Sequence, residues 1–340
     1  FWLMFKMNAP YAILSLVIMG MIYFMVNSFN AKGKGLENLF RGVIFQLSRQ
    51  LQVLAQRADK EDLDTHWRPF TICISQDTFM RRSAFDMLRW ISFKYGFGTY
   101  IHYIKGFLSN KTNLESKEVL KKLINLAADS KNRVYLDTII SPSYTSAIAQ
   151  VIQLSGISGK GNNMILFECS QNEPEALEEP LNTHHILLAT GFDICVLSTS
   201  YKGFGYKRQI HIWITSKDYE NANLMILLGY IIMGHPEWKN GTIKIFALHE
   251  ASELERKREE LNALIKAGRL PISYNNINLI PTENPADEKE IIASTSVDAD
   301  LSIVGFRSES IKSKGYHVFT GYEKVGNILF VSANKEKEIK

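Results

Sequence analysis

Cysteine is scarce: Cys73, Cys169 and Cys195 are odd in number, far apart and set in apolar runs. That excludes a disulfide framework and the paired spacings of a zinc site, and suits buried thiols in a reducing compartment. An excess of charge of either sign is also lacking. The net charge is +4, and basic residues interleave with acidic ones along the chain, so no nucleic acid is expected as a partner. Catalytic signatures are missing too, with no serine nucleophile elbow and no catalytic-cysteine motif. His184-His185 invites a metal, but adjacent residues point in different directions and no second cluster supplies ligands, so a structural or surface role is expected. Glu173, Glu175, Glu178 and Glu179 surround Pro174 and read as a helix start, where acids meet the dipole and proline takes the first position. The chain is not read as an enzyme, and no metal is expected.

Charge is wholly absent from Tyr11 to Phe29, inside "NAPYAILSLVIMGMIYFMVNSF". At about 1.5 Å per residue this run covers most of the roughly 30 Å of hydrocarbon in a bilayer, which predicts a membrane-spanning helix. A secretory signal would have a shorter apolar core and a small-residue cleavage site, which Val26-Asn27-Ser28-Phe29 does not provide. A buried helix of a soluble protein is the remaining alternative. Only Lys6 precedes the run, whereas Lys32, Lys34, Arg41, Arg49 and Arg57 follow it. The positive-inside bias then places the chain in the cell membrane, with residues after about Asn30 cytoplasmic. The chain starts at Phe1 rather than a methionine, so its start is not taken as a boundary.

What is present is periodicity. Leu36, Leu39, Phe40, Val43, Leu47, Leu51 and Leu54 fall at helical spacing and predict an amphipathic helix after the span, and "QRADKEDLDTH" reads as a solvated connector. From Trp67 the pattern changes. "PFTICIS", "GTYIHYIKG", "RVYLDTII" and "NMILFE" read as strands alternating with helices, and "DICVLST", "QIHIWIT", "TIKIFAL", "SYNNINLI", "ADLSIVGF" and "NILFVSA" as a second set. Repeated βα units predict an α/β fold of two tandem subdomains with mostly parallel sheets. The expected division is 1–30 for the span, 31–66 for the juxtamembrane helix and linker, 67–190 for the first subdomain and 191–340 for the second. Thr215 with Asp218 has the form of a capping box, and Gly234 with Pro236 ends the helix that follows. Within that helix "ANLMILLGYIIM" is apolar nearly all round, which calls for cover on more than one side, by another subunit or by a deep core of its own chain. "SELERKREELNALIK" reads as a solvated surface helix, with Glu253 four residues before Lys257.

One stretch raises a ligand question. In "SGISGKGNNMILFECS" the glycines permit close backbone approach, and amides in such a loop can cradle phosphate. It is neither a Walker loop nor a dinucleotide fingerprint. Its spacing is similar to the nucleotide loop of universal stress proteins: Gly156 and Gly159 match, Cys169 stands where a glycine belongs, and Ser170 follows. Gly156, Gly159 and Ser170 are therefore the candidate nucleotide-binding residues, for ATP or another adenine nucleotide, with a plain tight turn as the simpler reading.

Taken together, the apolar span, "KGLENLFRGVIFQLSRQLQ", "HWRPFTICIS", "QIHIWITSKDYENANLMILLGYIIMGHPEWKNGTIKIFAL", "DADLSIVGF" and "GNILFVSANKEKEI" resemble the end of cation-chloride cotransporters of the amino acid-polyamine-organocation superfamily, over essentially the whole chain. Two departures point to a distant, prokaryotic member. The family's Lys-Pro-Asn is Gly161-Asn162-Asn163 here, and its Asp-Gly-Gly is Tyr219-Glu220-Asn221. The resemblance implies the last transmembrane helix followed by a universal-stress-protein-like cytosolic regulatory domain that dimerises and couples cytoplasmic signals to the ion pathway. Its implied partners are the transport core of the same polypeptide, a second copy and the lipid bilayer. The alternative is a membrane-tethered nucleotide-sensing module.

Overall fold

The computed structural model describes residues 6, 8–30, 42–54, 67–128, 134–153, 156, 161–218, 220–267, 274–282 and 287–338. Leu36, Leu39, Phe40, the connector at 56–66 and Gly159 lie outside them. The chain divides into two units, Phe1–Asp62 and Leu63–Lys340.

In the first unit, α1 (Ala9–Asn30) is a helix whose apolar side chains, among them Leu14, Ile18, Ile22 and Phe24, stand exposed. Its side chains are described as far as Met25. Among the described residues no helix is long and apolar enough to cross a membrane, so the structure does not bear out the spanning helix expected from Asn8 to Phe29. Residues 42–54 are helical (α2), with Val43, Leu47, Leu51 and Leu54 exposed.

The second unit is built on one ten-stranded sheet in the order β3-β2-β1-β4-β5-β10-β9-β6-β7-β8. The strands are β1 (Phe70–Ser75), β2 (Phe97–Lys105), β3 (Val134–Ser141), β4 (Met164–Ser170), β5 (Asp193–Thr199), β6 (Gln209–Thr215), β7 (Thr242–His249), β8 (Ile277–Pro281), β9 (Leu301–Gly305) and β10 (Asn327–Ser332). Every stretch read as a strand contains one, although in "SYNNINLI" the strand begins only at Ile277, after a 3-10 turn at Tyr274–Asn276. Counted from the two outer edges, the same order appears twice, as β3-β2-β1-β4-β5 and as β8-β7-β6-β9-β10. All neighbours are parallel except β5 and β10, which pair antiparallel from Ile194↔Ser332 to Ser198↔Ile328. The sequence predicts separate sheets; the β5–β10 pair fuses them into one. "DICVLST" is β5, which pairs in parallel with β4 on its other side and so completes the first half.

Helices cover both faces, as parallel strands buried on both sides require. One face carries α3 (Ser83–Ser92), α4 (Asn110–Ala128), α8 (Ala222–Met233) and α9 (Leu254–Ala267). The other carries α5 (Tyr144–Gln153), the short α6 (Glu178–Leu181) and α7 (His184–Ala189), then α10 (Glu288–Thr295) and α11 (Glu309–Lys314). The alternation read in "GTYIHYIKG" does not produce a wet face, because β2 is buried from Gly98 to Ile104.

The apolar helix α8 is covered by its own chain: it lies on β6, β7 and β9 and packs sideways against α3 of the first half. Gly229 lets it sit close, since a Cβ there would lie 2.8 Å from Ile212 Cδ1. Where the halves meet on this face, Trp90 packs edge-on against Phe204 at 4.6 Å and Trp238 at 5.3 Å between ring centroids. Arg89 reaches Glu237 at 2.5 Å, and Lys207 pairs with the same carboxylate. Burial pushes the Glu237 carboxyl up, but Lys207 and Arg89 outweigh it and hold it below the usual range. Replacing Trp90, which is fully buried, by alanine should cost about 3–5 kcal/mol, the range for large aromatic truncations; urea denaturation of the full chain measures it, and a loss under about 1 kcal/mol would mean the cluster does not hold the halves together.

Candidate functional site

In open α/β sheets, ligands bind outside the carboxyl ends of the strands where the order reverses. Each half has such a point, between β1 and β4 and between β6 and β9. Because the halves run in opposite directions through the β5–β10 seam, the two crevices open on opposite edges of the sheet.

The crevice of the first half is occupied by its own side chains. Tyr144 donates its hydroxyl to the Ile74 carbonyl and packs edge-on against Tyr103, centroids 5.2 Å apart. Tyr100 donates to Thr78 Oγ1 at 3.1 Å, Thr78 bonds His102 Nδ1 at 2.8 Å, and Arg81 pairs with Asp77. Ser170 ends β4 here, and its hydroxyl accepts the Asn172 N–H at 3.2 Å to hold the following turn. Gly156 precedes β4 in the chain and Ser170 is its last residue. Glu168, one turn of pleat before Ser170's crevice, is the unusual group. Burial pushes its carboxyl up to about 7 against the pull of Arg81, and its Oε1 has no hydrogen-bond partner.

The crevice of the second half is knit differently. Asp218 accepts from Thr215 N at 2.9 Å, Thr215 Oγ1 at 2.7 Å and Asn221 Nδ2 at 3.2 Å. Asn221 also donates to Phe306 O at 3.0 Å and accepts from Ala333 N at 2.8 Å, so two side chains tie the ends of β6, β9 and β10 together. Asp218 thus makes one half of a capping box at the end of a strand, accepting the Thr215 N–H, while its own N–H goes to the Thr215 carbonyl and α8 itself starts at Ala222. Gly305 must lack a side chain, because a Cβ there would lie 1.7 Å from Asp218 Oδ1. Around this knot are two adjoining cavities, about 580 Å³ and about 150 Å³, both lined by Lys217, Phe306 and Arg307. Neither Lys217, Arg307 nor Gly305 is singled out by sequence spacing; the one available signal was the polar "RSES" that follows a buried strand.

At this same edge the chain enters the sheet. Asn163 accepts the Phe70 N–H at 2.9 Å and donates to Arg68 O at 2.8 Å, so it pins the segment that leads into β1. Asp193, 1% exposed, accepts Asn334 N at 2.9 Å and Lys337 Nζ at 2.8 Å, and that ammonium lies 5.8 Å from the Trp67 ring.

The other sequence candidates have local roles. His184 Nδ1 bonds Leu181 O at 2.9 Å, and among the described residues no group of His, Cys, Asp or Glu could hold a metal ion. All three cysteines are buried and unpaired, and burial raises the Cys169 thiol to about 12.

No protein-family model matches the chain. The potassium/chloride cotransporter 3 of Caenorhabditis elegans is 25% identical over 284 residues, 77% of this chain and 25% of that protein, so the chain spans about a quarter of this relative's length. Among solved structures, the cytoplasmic domain of a prokaryotic cation chloride cotransporter matches with a TM-score of 0.56 at 16% identity, over 80% of this chain and 98% of the other. A universal stress protein from Archaeoglobus fulgidus DSM 4304 matches with a TM-score of 0.50 at 8% identity, over 79% and 98%. The fold is therefore the α/β architecture, with a mostly parallel sheet, that these two domains share.

Two outcomes are expected. Glu168 stays protonated in the folded chain to about pH 7 but ionises near 4.3 when unfolded, so the stability it contributes is full below about pH 4.3 and is lost as pH rises through 7, about 3–4 kcal/mol in all. Glu168→Gln should flatten that slope in denaturation curves taken between pH 5 and 8; an unchanged slope would mean the carboxyl is ionised throughout. Gly305→Ala should destabilise by about 1–3 kcal/mol through overpacking on Asp218, and Asp218→Ala in the same chain should recover part of it in thermal melts.

Proposed function

We propose that this chain is the last membrane-spanning helix and cytosolic regulatory domain of a prokaryotic cation-chloride cotransporter. The observation that carries the reading is the agreement of two independent likenesses: a sequence match to a potassium/chloride cotransporter and a fold match that takes in 98% of a cotransporter cytoplasmic domain. In this reading α1 spans the bilayer, α2 connects it to the sheet, and residues from about Asn30 onward are cytoplasmic. Ion sites belong to a transport core elsewhere in the same polypeptide, so this part does not move an ion by itself. It dimerises with a second copy and passes cytoplasmic signals to that core.

Two features support a coupling role over a passive tether. The exposed row of Leu47, Leu51 and Leu54 needs apolar cover, which lipid, the core or a second copy can give. The segment that receives the connector is clamped by Asn163 and packed near the Asp193–Lys337 pair, so a pull on Trp67 is delivered to β1 and β5 and not absorbed in a loose loop.

The parent polypeptide, reconstituted in proteoliposomes, tests this. Further apolar stretches of about 20 residues upstream of Phe1 and chloride-dependent cation uptake are expected. Deleting Leu47, Leu51 and Leu54 should alter uptake and dimerisation while the melting temperature of the sheet unit moves by less than about 2 °C. Unchanged uptake and dimerisation would end the coupling role, and an upstream reading frame without such stretches would end the cotransporter reading.

A further inference from the structure

The geometry points to an anion site in the second half: the crevice between the carboxyl ends of β6 and β9 receives a phosphate-bearing group, with Lys217, Lys289, Arg307 and Lys314 as its cations. These four side chains line one cavity of about 150 Å³, a volume suited to a single phosphate. They come from three separate places, the turn after β6, the first turn of α10 and the segment from the end of β9 through α11, so only the tertiary fold gathers them.

The charge around the cavity is partly neutralised from within, two carboxylates, Asp218 and Glu288, standing against the four cations. Glu288 faces Lys217 at 3.0 Å. Asp218 spends its carboxylate on Thr215 and Asn221. Glu323 lies near Lys289 but accepts the Gly321 N–H. Lys289 donates to Thr320 O at 2.7 Å, a neutral acceptor. Arg307 donates through Nε to Lys217 O at 3.3 Å, and its two Nη groups have no acceptor among the described residues. Among the described residues Lys314 has no carboxylate within ion-pair distance. Burial first, and the Lys314 ammonium second, hold Lys289 below the ordinary lysine range against the pull of Glu323.

Convergent cations with one guanidinium fit a tetrahedral oxyanion, whose several oxygens accept from a planar fork and from point charges together. A monatomic anion satisfies fewer of these donors. Lys217 and Arg307 also line the cavity of about 580 Å³ next door, whose other walls include Asn221, Ser308 and Asn334. That polar space suits a hydroxyl-rich body attached to the phosphate. The shared chemistry is therefore a phosphate or phosphate ester, from free phosphate or from a lipid headgroup. The crevice opens on the edge where Trp67 enters, and the first half offers no equivalent, its own crevice being filled by Tyr144 and Tyr103.

Lysine acetylation footprinting of the full 340-residue chain in detergent, read by mass spectrometry, tests this. Inorganic phosphate and inositol 1,4,5-trisphosphate are titrated separately to about 10 mM, against sodium chloride at equal ionic strength. Protection of Lys217, Lys289 and Lys314 by about fivefold or more, with Lys111 and Lys121 on α4 unchanged, is expected. Protection by both probes at similar concentrations assigns free phosphate; protection by the inositol phosphate at concentrations about a hundredfold lower assigns a headgroup. Arg307→Ala should weaken binding about tenfold or more at an unchanged melting temperature, and Arg307→Lys should restore part of it. Equal protection by chloride, no protection by either probe, or undiminished binding in the folded Arg307→Ala chain would overturn the site. The result does not depend on the cotransporter reading, whose test is made on the parent polypeptide.

Discussion

The antiparallel pairing of β5 with β10 is the constraint on which the rest of this domain depends. Two five-stranded parallel sheets, each with a hydrogen-bonding edge of its own, are joined there into one sheet with outer edges only at β3 and β8. Unpaired edges invite unwanted pairing with other chains, so fusing two of them inside one polypeptide removes a hazard as well as building a core. Both hydrophobic clusters cross the seam: one runs from Cys73 and Leu88 to Ile232 and Leu301, the other from Ile72 and Tyr144 to Phe246 and Phe330. Neither half owns a complete core.

The same pairing fixes where ligands and connections can lie. Since the halves run in opposite directions, their crevices face opposite edges, and the two have taken different courses. The first is filled with tyrosines and holds a carboxyl, Glu168, in an environment that favours its neutral form. The second is tied by Asp218 and Asn221 but keeps open space lined with cations. The chain enters on the edge of the second crevice. The first and last segments of the domain thereby meet beside it, through Asp193, Lys337 and Trp67.

Much of the fold was legible because the β-strand signal is local. Runs such as "NMILFE" and "QIHIWIT" carry β-branched and apolar residues at strand length, bounded by polar turns, and each is a strand. The apolar helix "ANLMILLGYIIM" announced that it needs cover, though not that α3 supplies it. The spacing of Gly156 and Ser170 is read along the chain, and β4 lies between them. Asp218 was legible only as a local cap. Its contact with Gly305 joins residues that are distant in sequence, and no periodicity encodes that.

By itself, then, the sequence determined the elements: which stretches extend, which coil into helices, which faces avoid water and that βα units repeat. Those follow from side-chain shape and polarity over a few residues. Tertiary structure alone decided that β5 and β10 run antiparallel, that the two halves share one sheet, and that Lys217, Lys289, Arg307 and Lys314 surround one cavity. Such outcomes depend on which edge pairs with which and on chain direction across the seam, and these are set by the packing of distant segments against one another.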